Sequence, residues 1–331
     1  MRFPPRLTLD LTRYLLRCAL KGERRFPLVL MLEPTHRCNL ACSGCGRIRE
    51  YAATLSRELP LQRCLEAVEE CPAPVVTVTG GEPLLYGALS ELLSGILTRK
   101  RHIQLCTNGL LLAEKVFTLP SHPNITINVH LDGLATTHDR VIDHPGGFSR
   151  AWEGIEEAIG RGFRVCTNTT IFRDTDLDEI RKLFRRLVGI GVQGLLVAPG
   201  FDYDAVERDL FLQRDEIQNK FREIIGWAGE FPFWSTPPYL RFLAGHEEME
   251  CTPWGNPTFT PLGWKAPCYL ITDAHYPRYR DLLGATAWDS YGVGRDPRCS
   301  QCMMHCGFEP TVVRTTTTIP RILEMLRWNF S

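Results

Sequence analysis

Leu32-Glu33-Pro34-Thr35-His36-Arg37-Cys38-Asn39-Leu40-Ala41-Cys42-Ser43-Gly44-Cys45 decides the reading of this chain. The stretch follows an apolar strand, Leu28 to Leu32, so three sulfurs in C-x3-C-x2-C spacing stand on one loop at a strand's C-terminal end. Three thiolates can hold three irons of a 4Fe-4S cube, which leaves the fourth iron free to chelate a small molecule. A zinc site is the alternative, although zinc commonly takes four closed ligands built from C-x2-C pairs.

Gly80-Gly81-Glu82-Pro83 closes the next strand, Val75 to Thr79. Adjacent glycines let backbone groups approach a ligand closely, and a carboxylate beside them accepts hydrogen bonds from an ammonium. The cysteine loop and this turn together resemble the radical S-adenosylmethionine (SAM) superfamily. That resemblance implies that Cys38, Cys42 and Cys45 hold a 4Fe-4S cluster whose open iron binds the amino and carboxylate groups of SAM. It implies that Gly80, Gly81, Glu82 and Pro83 recognise the SAM amino group. Further SAM contacts are expected from Asn108, from His130 and Asp132 at the fourth strand's rim, and from Asn168 and Thr170 on the fifth. Two positions depart from the family. His130 stands where many members have a serine, and Gly44 where they commonly have an aromatic, so adenine packing must come from elsewhere.

Outward from these motifs, strand and helix signals alternate. Val75–Thr79, His102–Cys106, Ile125–Leu131, Val165–Ile171 and Gly194–Ala198 read as strands. Between them, Leu59–Glu70, Leu89–Lys100, Ser149–Gly160, Asp176–Val188 and Arg214–Trp227 carry apolar residues at helical spacing. Six strand-then-helix units predict an α/β fold, a partial (β/α)6 TIM-like barrel with its chemistry at the strands' C-terminal rim. Ile125 to Asp132 alternates strictly, which turns Thr126, Asn128, His130 and Asp132 to one face, away from the helices.

Three regions are expected: residues 1–26 as an N-terminal helix, 27–230 as the barrel, and 231–331 as a cysteine-rich C-terminal domain. The last is rich in proline, glycine and aromatics without periodicity, so a metal is the expected organiser. Its cysteines are Cys251, Cys268, Cys299, Cys302 and Cys306, and Gly263-x4-Cys268 resembles the opening of the auxiliary-cluster domains called SPASM and twitch. A second 4Fe-4S cluster would use four of the five; packing thiols or zinc are the alternatives.

Composition narrows the partners. Among 331 residues, Lys plus Arg and Asp plus Glu both total 38, and this balance offers no global attraction to nucleic acid. Thirteen cysteines with no signal peptide at Met1 to Pro5 fit a reducing compartment, so a cytoplasmic location is expected. From Asp10 to Lys21, Leu11, Tyr14, Leu15 and Cys18 share one helical face while Arg13, Arg17 and Lys21 form a basic stripe. Packing against the barrel and peripheral contact with a membrane surface both suit this pattern.

A finer resemblance rests on longer blocks. Residues 27–34, Arg37 to Cys42, Leu105 to Asn108, His130 to Gly133, Cys251-Thr252-Pro253-Trp254-Gly255-Asn256-Pro257, Pro267 to Leu270 and Trp288-Asp289-Ser290-Tyr291-Gly292 are similar to the adenosylhopane synthases of hopanoid biosynthesis. This similarity implies that the 5′-deoxyadenosyl radical adds to the terminal alkene of a hopanoid lipid, diploptene. The resulting tertiary radical needs one hydrogen atom, and Cys106 is the expected donor, restored by an external reductant such as flavodoxin or ferredoxin. Trp234, Tyr239, Phe242, Trp254 and Trp264 are candidates to line a lipid cavity, with ordinary core packing as the alternative. The other reading is a SPASM- or twitch-type enzyme that modifies a peptide or another small molecule by hydrogen abstraction.

Overall fold

The computed structural model describes residues 2–206 and 209–330. Strands β1 (Val29–Leu32), β2 (Val75–Val78), β3 (His102–Thr107), β4 (Ile125–His130), β5 (Arg164–Ile171) and β6 (Gly194–Pro199) follow one another across one sheet, each parallel to its predecessor. Parallel neighbours need long crossovers. Here these include the helices Leu61–Glu70, Leu89–Thr98, Gly147–Gly160 and Leu177–Gly189. The last shows why such segments turn helical and which face they bury. The Asp176 side chain accepts from the Asp178 and Glu179 amides at its start, and Ile180, Leu183, Phe184 and Leu187 recur at helical spacing and are buried. Each such side chain taken from water stabilises the fold by about 1.5–3 kcal/mol.

The expected strands match the observed ones to within a residue at each end, and the α/β barrel of the sequence reading is the architecture found. The last third continues the same sheet. β7 (Thr258–Thr260) pairs parallel with β1, and β8 (Gly263–Pro267) and β9 (Thr272–Tyr276) extend it antiparallel, giving the order β6-β5-β4-β3-β2-β1-β7-β8-β9. The amides of Leu28, Met31 and Glu33 donate to the carbonyls of Gly255, Pro257 and Phe259 at 2.7–2.9 Å. The cysteine loop therefore leaves a strand bonded on both sides.

The aromatics considered for a lipid cavity serve as packing. Trp264, Tyr239 and Phe242 are buried in the main core, and their polar atoms have partners: Tyr239 Oη donates to Met303 O at 2.8 Å and Trp264 Nε1 to Glu70 Oε2 at 3.2 Å. Trp234 Nε1 donates to Arg2 O. Trp254 sits half-buried, with the Arg25 and Arg314 guanidinium groups near its ring.

The N-terminal helix spans Pro5–Leu20, within the expected residues 1–26, and Pro5 can open it without losing an amide bond. Tyr14 Oη donates to Pro27 O, His102 Nε2 bonds Asp10 Oδ2, and Cys18 is buried. Among the described residues no helix is long and apolar enough to cross a membrane.

Candidate active site

Cys38, Cys42 and Cys45 lie half-buried on the loop after β1, and Cys38 and Cys42 pack against Leu40, Leu110 and Ile142. The loop is tied internally: Cys45 N donates to Cys42 O, and Arg49 Nη1 donates to the carbonyls of Cys42 and Cys45. Burial pushes the Cys38 thiol up to about 11, and burial with the neighbouring Cys45 and Cys38 sulfurs raises Cys42 further. Two thiols so buried ionise readily only beside a cation, which is the condition a cluster supplies.

The GGEP turn is built against that loop. A Cβ on Gly80 would meet Thr35 O at 2.6 Å, and one on Gly81 would meet Arg37 O at 2.0 Å. Gly81 N donates to Thr35 O at 3.1 Å and Glu82 N to Arg37 O at 2.7 Å. The two glycines thus admit the cysteine loop itself. Glu82 is buried and its carboxylate accepts from Leu84 N, Thr107 Oγ1 and Asn108 N at 2.7–3.0 Å. Three of its roughly four acceptor positions are filled by protein donors, so it braces β2 against β3. Pro83 opens the short turn that follows, and Asn108 Nδ2 donates to Asn39 Oδ1, tying the β3 rim back to the cysteine loop.

Inside the barrel, β3, β4 and β5 present one polar face. Cys106 registers with Asn128, Asn128 with Cys166, and His130 with Asn168. Asn128 Nδ2 donates to Cys106 Sγ at 3.7 Å, while Asn128 Oδ1 and Asn168 Oδ1 are buried with no hydrogen-bond partner. Buried polar atoms left open in this way fit a polar ligand in the barrel. His130 Nε2 bonds Asp132 Oδ2 at 2.6 Å. Asp132 Oδ1 accepts from Thr170 N, and Asp132 N donates to His138 Nδ1. Burial alone would lower His130, but the Asp132 charge and hydrogen bond outweigh it and hold the imidazole above its ordinary value. Burial pushes the Cys106 thiol up to about 12, so Cys106 keeps its S–H at neutral pH.

The space beside Gly44 is filled by an aromatic ring from just past β5. A Cβ on Gly44 would lie 2.8 Å from the Phe172 ring, which follows β5 and sits 6.0 Å from Phe211 between ring centroids. Sequence reasoning missed Phe172 because its tie to Gly44 is purely three-dimensional. It also missed Cys166 beside Asn128, and Tyr203, whose ring covers Gly46.

The five late cysteines converge. Cys251, Cys268, Cys299, Cys302 and Cys306 all line one cavity, and so do Pro253, Asn256, Tyr291 and Gly292 from the CTPWGNP and WDSYG blocks. Gly307 lets Cys251 approach, since a Cβ there would meet Cys251 Sγ at 2.5 Å. Burial pushes Cys302 up to about 12. Among the described residues no three His, Cys, Asp or Glu side chains converge as one metal ion requires. Tetrahedral zinc, with Zn–S bonds of about 2.3 Å, draws its sulfurs to about 4 Å from one another. The five thiols around the cavity are a donor set that allows a four-iron cluster. Between this cavity and the first loop lies a buried bridge: Arg47 Nη1 donates to Tyr269 O at 2.8 Å and Lys265 Nζ to the same oxygen at 3.0 Å. Arg47 also pairs with the buried Glu33.

Residues 32–187 match the Radical SAM superfamily, and residues 195–326 match a domain of unknown function, DUF3463. The chain is 30% identical over 161 residues to GTP 3′,8-cyclase of Clostridium perfringens, covering 46% of this chain and 50% of that one. It is 26% identical over 172 residues to the sporulation killing factor maturation protein SkfB of Bacillus subtilis, covering 50% of this chain and 40% of that one. It thus spans about half the length of these curated relatives. Among solved structures, Streptococcus suis SuiB is similar with a TM-score of 0.68 at 14% identity, covering 92% of this chain and 78% of that one. anSMEcpe with bound AdoMet gives 0.60 at 14% identity, covering 92% and 97%. At such identities the likeness concerns the fold. With the cysteine triplet and GGEP turn interlocked at the rim of the parallel barrel, it is residues 32–187, just under half of the chain, that match the radical SAM superfamily.

Proposed function

We propose that this protein adds the 5′-deoxyadenosyl group of SAM to the terminal alkene of diploptene, giving adenosylhopane. The observation that supports this most is Cys106, a protonated thiol on the polar barrel face, held by Asn128 on the same face as the unpartnered Asn128 and Asn168 oxygens. When bound, a 4Fe-4S cluster with SAM on its open iron supplies the one electron that breaks the sulfonium C–S bond.

In this reading Cys38, Cys42 and Cys45 are the cluster ligands, and the GGEP turn fixes the loop that carries them. Asn108, His130, Asp132, Asn168 and Thr170 orient SAM, with Phe172 in the place of the missing aromatic. Addition of the adenosyl radical to the terminal CH2 forms one C–C bond and leaves a tertiary carbon radical. Cys106 gives that carbon the hydrogen atom of its S–H. The sulfur-centred radical left on Cys106 regains one electron and one proton from an external donor of the flavodoxin or ferredoxin class. Four of the five late cysteines hold a second 4Fe-4S cluster in their shared cavity, which organises a segment that lacks helical or strand periodicity.

A second reading, hydrogen abstraction from a peptide or another small molecule, draws on that same cavity. SuiB has been solved bound to its precursor peptide SuiA. One experiment separates the two. Anaerobic incubation with SAM, dithionite and diploptene in D2O is expected to give an adenosine-bearing lipid carrying one deuterium, because the Cys106 thiol exchanges with solvent. Cys106→Ala should still cleave SAM while the quenched product falls at least tenfold. An adenosyl lipid without deuterium, or full yield from Cys106→Ala, refutes the donor role. Free 5′-deoxyadenosine without lipid product refutes the addition reaction.

A further inference from the structure

The two ends of the chain meet on one surface. Arg2 N donates to Asn329 O at 2.9 Å, Phe3 N donates to Asn329 Oδ1 at 2.6 Å, and Asn329 Nδ2 donates to Thr8 Oγ1 at 3.2 Å. Phe3 packs on Trp328 with ring centroids 5.3 Å apart.

The C-terminal helix, Ile319–Phe330, has its amphipathic faces reversed. Arg321 pairs with Glu247, and Glu324 accepts from Arg241 at 2.6 Å, so the charged side is turned onto the protein. Asn329 is its only buried residue among those described. Ile319, Ile322, Leu323, Leu326 and Phe330 are 73, 41, 46, 41 and 60% exposed. Their spacing of three and four residues places them on one outward stripe. A globular helix ordinarily buries such a face, and an exposed stripe of this kind marks a contact surface.

The N-terminal helix adjoins it through those contacts. Leu9, Leu16 and Leu20 are 48, 59 and 90% exposed, and Arg6, Arg13 and Arg17 are exposed beside them. The first 25 residues hold seven basic side chains (Arg2, Arg6, Arg13, Arg17, Lys21, Arg24, Arg25) against Asp10 and Glu23, in a chain whose net charge is zero. Leucines interleaved with arginines match an interface that is apolar below and negatively charged above. A second copy of the chain would bring the same basic residues against themselves.

We propose that the two terminal helices form one docking surface for an anionic lipid bilayer. The apolar stripe enters the boundary between headgroups and acyl chains, and Arg6, Arg13 and Arg17 face the phosphates. This extends the membrane contact expected of residues 1–26 to the other end of the chain, and it is testable without SAM or diploptene, apart from the reaction.

The test is cosedimentation of the full-length protein with vesicles of phosphatidylcholine alone and of phosphatidylcholine mixed with phosphatidylglycerol. Binding is expected to the mixed vesicles and to weaken with salt. Removing one basic residue lowers such binding about fivefold, so Arg13→Gln with Arg17→Gln should lower it about twenty-five-fold. Leu323→Glu with Leu326→Glu should lower it at least tenfold. Both variants should keep wild-type circular dichroism and SAM cleavage, since they touch neither cysteine site. No binding to either vesicle, or binding unchanged in both variants, overturns the proposal. A dimer seen by light scattering that the leucine variant abolishes overturns it too, because a second copy would then cover the face.

Discussion

Gly81→Ala isolates the interlock between the GGEP turn and the cysteine loop. The new methyl would lie 2.0 Å from Arg37 O and 2.6 Å from His36 O, both backbone atoms that no rotamer change can move. Ordinary contact needs more than 3.4 Å, so turn and loop must separate by over 1 Å. That separation breaks Gly81 N to Thr35 O and Glu82 N to Arg37 O, leaving two backbone donors unsatisfied. At about 1–2 kcal/mol each, the loss is about 2–4 kcal/mol, a large share of the roughly 5–15 kcal/mol that holds a native protein together. A misplacement near 1 Å at a reacting centre also costs about a hundredfold in rate. Gly87→Ala is the matched control, because a Cβ at this exposed position meets nothing within 4 Å. Thermal unfolding and the rate of reductive SAM cleavage are the two measurements. Were Gly81→Ala to match Gly87→Ala in both, the interlock would not hold the loop and the reasoning fails.

Two further outcomes are expected. Phe172→Ala should weaken SAM binding at least tenfold by equilibrium dialysis, and adding Gly44→Tyr to it should restore part of the loss, whereas Gly44→Tyr alone should be worse than wild type because the two rings collide; failure of the double variant to recover anything counts against Phe172 as the replacement aromatic. His138 is held neutral by burial, with its pKa lowered to about 4 from 6.5 while its Nδ1 accepts from Asp132 N. The unfolded chain then binds a proton that the folded one refuses, so stability falls as pH drops from 6.5 through 4, by up to about 3 kcal/mol. Urea midpoints at both ends of that window should show a flatter dependence in His138→Gln, and an unchanged slope would assign the effect to another group.

The barrel was legible because its information is local. Val75 to Val78 and Ile125 to His130 carry β-branched and alternating residues, and helices such as Leu177–Gly189 repeat apolar residues every three or four positions. The cysteine triplet and GGEP were legible as chemistry, but the reason for the two glycines was not. Their partner is the backbone of residues 35–37, and no sequence pattern reports a close approach between loops. β7 escaped notice for a related reason: three residues, Thr258 to Thr260, have no period to detect, and their pairing with β1 joins positions more than two hundred residues apart. The convergence of the late cysteines was only half legible. Their number announced a centre, while the cavity also needs Gly307 and the docking of Gly255 and Pro257 against β1.

If four of the late cysteines hold the second cluster proposed above, the continuous sheet has a consequence for electron exchange between it and the first. β1 delivers Cys38, Cys42 and Cys45 on one side, and through its bonds to β7 it anchors the hairpin that ends at Cys268 on the other. Two redox groups carried on separate domains would drift with any hinge, and the rate of electron exchange, which decays steeply with separation, would drift with them. Here the separation is set by strand spacing, braced by Arg47 and Lys265 on a shared carbonyl. With clusters on both, the chain would be a single mount for the pair rather than two modules that dock.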